Sequence, residues 1–401
     1  MSATVEELEK ELAELTKMKL FDEAVNAGVH SILSKIPSPE GEANVQKRLR
    51  LLLLRCKANL LLPAVSREAE QDLQAALKLH QGSAEVWVEL AECFLRRNAF
   101  KEAVDALDNA LRLNSSSTAA LVKYSQVLRN RCGEAGLSKE DRKTFMQNAL
   151  EKAREAVRTD VTSADAWNAV ALTLLAQLTL DGMSYTGLRK AMAAMQQAVD
   201  KDKSDPDIHY NKGVLGSLMG SFDEAVRDFA RAYELDNHRQ KGTRRLCEDN
   251  LVILQRAQTR IKNLNSIGRS ELKKLCGTVK KEEAHLPGAQ TQCVVVVDTI
   301  SDQTMQPLTL MTIDSHESFG LLFLYGISFS ALKIGDVLSF PLSEKQGDAV
   351  YHVDRMELLG NEPIEVSMKK YFVNNETLLV NHKPLSPSAK ASLQVSSRLF
   401  A

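Results

Sequence analysis

The sequence predicts a multidomain chain, α-helical first and β-stranded second: a solenoid of paired helices followed by a small barrel. Three observations lead to this. Apolar and small residues recur with a 34-residue period through the first 240 of 401 residues. After His285-Leu286-Pro287-Gly288 the periodicity changes from helical to extended. Composition is that of an ordinary globular chain, with 44 % hydrophobic and 26 % charged residues and a formal net charge of −1, which argues against disorder, collagen and a membrane-embedded fold. A length of 401 residues suits two or three domains at roughly 100–200 residues each.

The repeat is clearest over residues 84–117. Counting Ala84 as position one, Trp87, Leu90, Ala91, Phe94, Ala103, Leu107 and Ala110 stand at offsets 4, 7, 8, 11, 20, 24 and 27, the tetratricopeptide pattern of two antiparallel helices. It recurs from Trp167 with Ala171, Ala191 and Ala198, and from His209 with Gly213, Ala225 and Ala232. Leu121 and Tyr124, answered by Ala149 and Ala153, form the unit between. Ala69, Leu73 and Ala76 make a second helix upstream, and Phe21 and Ala24 hint at a degenerate first unit. About six helix pairs are expected over residues 1–237. Small residues at offsets 8, 20 and 27 let paired helices approach, while the large residue at offset 4 fills the gap, so Trp87 and Trp167 read as core. The second-helix alanines are spaced 34, 46, 42 and 34 apart, which places extra residues at Arg131–Arg142 and about Leu180–Gly187.

Stacked pairs create a concave groove lined by the first helices. Offsets 2, 5, 6, 9 and 12 place Glu85, Glu89, Glu92, Lys123, Gln126, Arg129, Asn168, Asp207, Tyr210 and Asn211 on it. Such a lining suits a short peptide. Asn168 and Asn211 can each pair with an extended backbone as donor and acceptor. Arg129 can take a carboxylate bidentately, and Asp207 can accept from an amine or a guanidinium.

Residues 238–288 are expected to cap the solenoid with an amphipathic helix and lead into the barrel. Residues 239–283 hold twelve basic and five acidic side chains, a balance of +7. Arg269, Lys273, Lys274, Lys280 and Lys281 form the candidate patch for RNA phosphates or an acidic partner. Residues 289–372 then read as a barrel of the oligonucleotide/oligosaccharide-binding (OB) type, with strands at Cys293–Ile300, Pro307–Asp314, Phe319–Ile327, Asp336–Leu342 and Val350–Leu358. Between residues 290 and 360 nine acids face three bases, a balance of −6, the wrong sign for a phosphate track. The barrel is therefore expected to meet protein and not DNA, with Phe319, Phe323, Tyr325 and Phe340 in its core. Residues 373–401 supply a terminal strand near Thr377–Val380 and a Ser-rich tail.

No chemistry emerges from the motifs. There is no Walker loop, dinucleotide glycine fingerprint or Gly-x-Ser-x-Gly elbow, and the Ser270-Glu271-Leu272-Lys273 match is short enough to arise by chance. The eight histidines and six cysteines show no metal-ligand spacing, and the cysteines read as thiols of a reducing compartment. No catalytic residue, metal or cofactor is expected, and the chain reads as a non-enzyme. An acidic N-terminus and short apolar runs argue against a signal peptide and against membrane partners. The expected location is cytoplasm and nucleus.

The order of parts, together with Glu85-Val86-Trp87, Val127-Leu128-Arg129, Asp205-Pro206-Asp207-Ile208-His209, Ala284-His285-Leu286, Ile334-Gly335-Asp336 and Leu379-Val380-Asn381-His382-Lys383-Pro384, resembles the Strap (tetratricopeptide repeat protein 5) family. The resemblance is weakest over the first 60 residues. It implies an adaptor whose groove captures the N-terminus of nascent tubulin on ribosomes and recruits mRNA-decay adaptor proteins, the step called tubulin autoregulation. It also implies a second role, a stress-responsive nuclear transcription cofactor scaffold holding an acetyltransferase coactivator complex. By position Arg129 would meet a peptide carboxylate, Asp207 matches a groove acid, Lys273 and Lys274 would face ribosomal RNA, and Lys241 stands where relatives are expected to carry an acid. A co-chaperone gripping acidic C-termini is a weaker reading, because the groove is not lysine-rich.

Overall fold

The computed structural model describes residues 4–17, 23–62, 67–80, 82–236, 241–267, 269–284, 291–301, 307–325, 327, 331–341, 348–356, 359–373, 377–386 and 389. Among these, six helix pairs make up the solenoid: α1 (Val5–Lys17) with α2 (Glu23–Lys35), α3 (Val45–Leu60) with α4 (Arg67–Leu79), α5 (Ala84–Arg96) with α6 (Phe100–Leu113), α7 (Thr118–Arg131) with α8 (Lys139–Thr159), α9 (Ala164–Asp181) with α10 (Tyr185–Lys201), and α11 (Pro206–Leu218) with α12 (Phe222–Leu235). Phe21, half of the degenerate first unit, lies outside the described residues, while Ala24 falls in α2.

Each start is written locally. Ser83, Ser117 and Ser163 accept a backbone N–H at the heads of α5, α7 and α9, satisfying a donor the helix itself cannot. Asp205 does the same for α11, where Pro206 occupies the first turn at no cost in hydrogen bonds. The insertions lengthen α8 to 21 residues, which Ser138 and Asp141 open as a capping box, and α9 to 18. Small residues set the helix spacing. Ala91 and Ala171 are fully buried, and a Cβ on Gly213 would come within 2.8 Å of the Phe229 ring.

Two helices follow the repeats, not one. α13 (Lys241–Ile267) packs on α12, closing the last apolar face, and also touches the sheet; α14 (Arg269–Glu283) packs on the sheet itself. The basic segment thus joins solenoid to barrel. Part of its charge is consumed there, since Arg256 reaches Asp298 at 3.2 Å and Arg260 donates to the Val297 carbonyl at 3.1 Å.

The sheet contains β1 (Thr291–Ser301), β2 (Leu308–Ile313), β3 (Phe319–Leu324), β4 (Val337–Pro341), β5 (Asp348–Val353), β6 (Ile364–Val373), β7 (Leu379–Val380) and β8 (Lys383–Pro384), in the order β5-β6-β3-β2-β1-β4-β7-β8. β1 to β3 form an antiparallel meander, β6 returns parallel to β3, and β4 pairs with the other edge of β1, the connectivity of an OB barrel. β6 carries the alternation of Ile364, Val366 and Met368, yet it is not among the expected strands; its partner β3 lies about 45 residues away and parallel, so no hairpin signal announces it. The strand expected over Val350–Leu358 ends at Val353, where Asn361 folds the chain back by accepting from the Met356 N–H at 3.0 Å. Asn381 and His382, both at positive φ, make the tight β7–β8 turn, and Asn381 also binds Asp336 and the Val337 N–H, each at 2.9 Å. The Ser-rich tail beyond Ala389 lies outside the described residues.

β1 and β3 are buried on both faces. Val294, Val296, Leu322 and Leu324 point into the barrel with Phe340, while Cys293, Val295, Val297, Leu321 and Phe323 join the core that runs through the last repeats. This double burial explains the unbroken apolar runs of both strands. Phe323, Tyr325 and Phe340 are core residues, and Phe319 is half-buried against that core.

Candidate functional site

Arg129 occupies the last full turn of α7 and is only 7 % exposed. Its Nη1 donates to the hydroxyls of Thr173 on α9 at 3.1 Å and Ser125 on α7 at 3.5 Å. Its Nε has no partner among the described residues, and none of their ion pairs involves it. Burial holds its pKa down, to about 10, and no neighbouring carboxylate offsets this. An unpaired guanidinium at this depth is costly, and a bidentate carboxylate is the ligand whose geometry relieves that cost.

The other groove candidates fall on the adjoining first helices. Lys123 binds Glu92 of α5 at 2.6 Å and Gln126 at 3.0 Å, so both α7 side chains serve a network that Arg96 completes through Glu92 at 3.0 Å. Asn211 of α11 donates to Asn168 of α9 at 3.2 Å. The two amides thus share one hydrogen bond across neighbouring repeats, and each keeps further donor and acceptor capacity for a peptide backbone. Asp207 lies half-buried in the first turn of α11, where its N–H donates to the Asp205 carboxylate at 2.9 Å. Tyr210 packs edge-on against Phe229 with ring centres 5.7 Å apart, and burial raises its phenol pKa. The structure therefore places Arg129, Asn168, Asp207, Tyr210 and Asn211 on three consecutive first helices, α7, α9 and α11, and ties Lys123 and Gln126 towards α5.

Repeat offsets miss two parts of this arrangement. Ser125 and Thr173 steady Arg129 although neither stands at a groove offset; the visible signal is a lone hydroxyl within Val170-Ala171-Leu172-Thr173-Leu174-Leu175. Offsets also miss Arg50, Leu53 and Lys57 of α3, which face Glu85, Glu89 and Glu92 of α5 across a cavity of about 800 Å³.

The basic patch lies on α14. Leu272, Cys276 and Val279 are buried, leaving Lys273, Lys274, Lys280 and Lys281 exposed; Arg269 opens the helix. Glu282 and Glu283, on the last turn, bind His382 and Ser315 and anchor that end to the barrel. Among the described residues no group of three His, Cys, Asp or Glu side chains is disposed to hold a metal ion, and no helix is long and apolar enough to cross a membrane. All six cysteines are buried thiols.

Tetratricopeptide repeat models match residues 66–118 and 206–239. The tetratricopeptide repeat protein 5 of Mus musculus is 24 % identical over 93 % of this chain and 89 % of its own length. That of Homo sapiens is 23 % identical over 88 % of this chain and 85 % of its own. Among solved structures, TTC0263, a thermophilic TPR protein of Thermus thermophilus, is 21 % identical with a TM-score of 0.43, covering 52 % of this chain and 99 % of its own. YrrB, described as a TPR protein with an unusual peptide-binding site, is 18 % identical with a TM-score of 0.32, covering 52 % of this chain and 92 % of its own. The chain carries tetratricopeptide repeats and is similar, along most of its length, to the tetratricopeptide repeat protein 5 (Strap) family.

Proposed function

We propose that this chain is a non-catalytic adaptor that captures a short acidic peptide in its groove. One observation carries the reading: the buried Arg129 guanidinium has two hydroxyl partners, an unpaired Nε and no carboxylate. A ligand carboxylate bound there gains a charge-assisted, largely desolvated pair, while Asn168 and Asn211 hold the ligand's backbone and Asp207 receives an amine or basic side chain. By its resemblance to tetratricopeptide repeat protein 5, the peptide is the N-terminus of nascent tubulin, and capture on the ribosome leads to decay of tubulin mRNA through mRNA-decay adaptors. The exposed lysines of α14 are a second, separate surface suited to ribosomal RNA, so peptide and ribosome can be engaged together. The protein then acts in the cytoplasm, and a nuclear scaffold role with an acetyltransferase complex is the alternative.

Recovery of translating ribosomes on immobilised protein tests this. Wild type should enrich tubulin-synthesising ribosomes, and Arg129→Met should lose that enrichment by about tenfold or more, the cost of removing one partner of a buried charge pair. Equal recovery by both proteins would remove Arg129 from peptide recognition. Recovery by neither would favour the nuclear scaffold.

A further inference from the structure

The concave face has a second compartment of a different chemical character. At its N-terminal end α1, α3 and α5 line a half-open cavity of about 800 Å³, within the size range of ligand pockets. Leu12, Leu53, Leu54, Leu60 and Leu61 form its apolar lining. Charged side chains ring it, and each lining cation is already engaged. Arg50 forks onto Glu9 at 2.6 and 3.0 Å, Lys57 holds Glu85 at 2.5 Å, and Arg96 holds Glu92 at 3.0 Å.

Glu89 is the most weakly paired of the lining carboxylates, with Lys57 and Lys123 attracting it only at a distance. The nearest cation, Lys57, is 3.9 Å away and committed to Glu85, and the Glu89 carboxylate accepts no hydrogen bond from the described residues. Its side chain is 24 % exposed. Burial raises its pKa against the opposing pull of Lys57 and Lys123, and Glu85 and Glu92 beside it push the same way as burial. A half-buried acid over a leucine lining is complementary to a cation carried among aliphatic groups. It is not complementary to the carboxylate that suits Arg129.

We propose that this compartment is a second peptide site, one that takes a short segment with a lysine or arginine flanked by large aliphatic residues. The aliphatic side chains enter the leucine-lined cavity, and the basic group pairs with Glu89. The leucines supply affinity without sign, and the one lining carboxylate with no hydrogen-bonded cation supplies the preference for positive charge. The site stands independently of the Arg129 reading, because the two positions use different residues and opposite ligand charges.

Fluorescence anisotropy of the full chain tests it with two labelled probes, the amidated peptides Gly-Ile-Lys-Leu-Ile-Gly and Gly-Ile-Glu-Leu-Ile-Gly. The lysine peptide should bind about tenfold more tightly, and Glu89→Gln, nearly isosteric, should remove most of that preference. Glu89→Lys should shift the preference towards the glutamate peptide. Arg129→Met should leave lysine-peptide binding unchanged, which separates this site from the one in the proposed function. Equal affinity for the two peptides, binding of neither, or loss with Arg129→Met instead of Glu89→Gln would each overturn the proposal.

Discussion

The ring of Phe323 on β3 rests on Gly220, at the turn between α11 and α12, so closely that a Cβ there would lie 2.2 Å from its Cζ. Gly220 has φ +61°, a conformation that costs little only for glycine. Its carbonyl accepts the Tyr351 hydroxyl at 2.9 Å, and the Leu218 carbonyl accepts that of Tyr325 at 2.5 Å. The last repeat and the barrel are therefore welded at one turn, where Phe222, Phe323, Phe372 and Tyr185 extend the aromatic contact.

Gly220→Ala should be destabilising by ~2–3 kcal/mol, from the strained φ and the displaced ring together. Thermal unfolding measures this. Combining it with Phe323→Leu should cost less than the sum of the single changes, because the smaller side chain gives the new methyl room. Strict additivity would show that strain alone is responsible.

Arg129→Met should leave the melting temperature equal to wild type or higher by ~2 °C, even if it weakens peptide capture as proposed. The charge is buried without a counter-ion, and after its removal Ser125 and Thr173 still bond each other at 3.1 Å. A clear loss of stability would mean that the two hydroxyl contacts outweigh the desolvation they accompany.

Lys370 gives the solenoid–barrel junction a pH dependence. Its ammonium sits 3.2 Å from the Ser221 hydroxyl and over the rings of Phe372 and Phe323. Burial pushes its pKa down to about 8, against the opposing pull of Glu224 and Asp223. Between about pH 8 and the ordinary lysine value, near 10.4, the unfolded chain binds more protons than the folded one, so this group makes stability rise with pH there. Lys370→Met should therefore stabilise at pH 7, by on the order of 1 kcal/mol, with the advantage fading above pH ~10.5. Denaturant titrations of both proteins at the two pH values would expose the trend, and a constant difference would contradict it.

Asp314 runs the other way. Fully buried, it accepts Lys369 at 2.6 Å and the N–H groups of His316 and Ser318 at 2.8 and 2.9 Å. Burial opposes its ionisation, but these bonds hold its pKa below the ordinary carboxylate value. Its stabilisation is present above that value, near 3.9, and is lost as pH falls through the lower folded one. Asp314→Asn should cost ~2 kcal/mol at pH 7 and progressively less in acid, as urea titrations at pH 7 and pH 3 would show.

Replacing Lys273, Lys274 and Lys280 together by Glu should leave stability within ~0.5 kcal/mol per site, since all three are exposed. The ribosome association proposed above should weaken, and its salt dependence should flatten by nearly one unit of log–log slope for each phosphate no longer neutralised. Unchanged association would remove α14 from the ribosome-facing surface.

The repeats were legible because their packing is local and periodic. Trp87, Ala91 and Ala103 meet partners at set offsets within a unit or its neighbour, so spacing alone names their environment. The charge division was equally readable, and the structure adds how part of it is used, with Arg256 on Asp298 and Lys369 on Asp314. For Arg129 the offsets specify a face but not a depth. Its burial comes from the packing of α9 on α7, which sets Thr173 against it. Offsets likewise place Asn168 and Asn211 on the groove without showing that they bond each other. The weld of barrel to solenoid was out of reach, since Gly220 and Phe323 are about a hundred residues apart and no period links them.

The sequence by itself determined the elements: six helix pairs, a basic joint, a barrel of acidic balance and the face that becomes a groove. Periodicity encodes those directly, because each depends on residues near in the chain or one repeat away. Only the tertiary structure decided which charges are closely paired, which, like Glu89, have a cation only at a distance, and which, like Arg129, have no carboxylate partner. That outcome depends on distances between separate helices, and a one-dimensional pattern does not contain them.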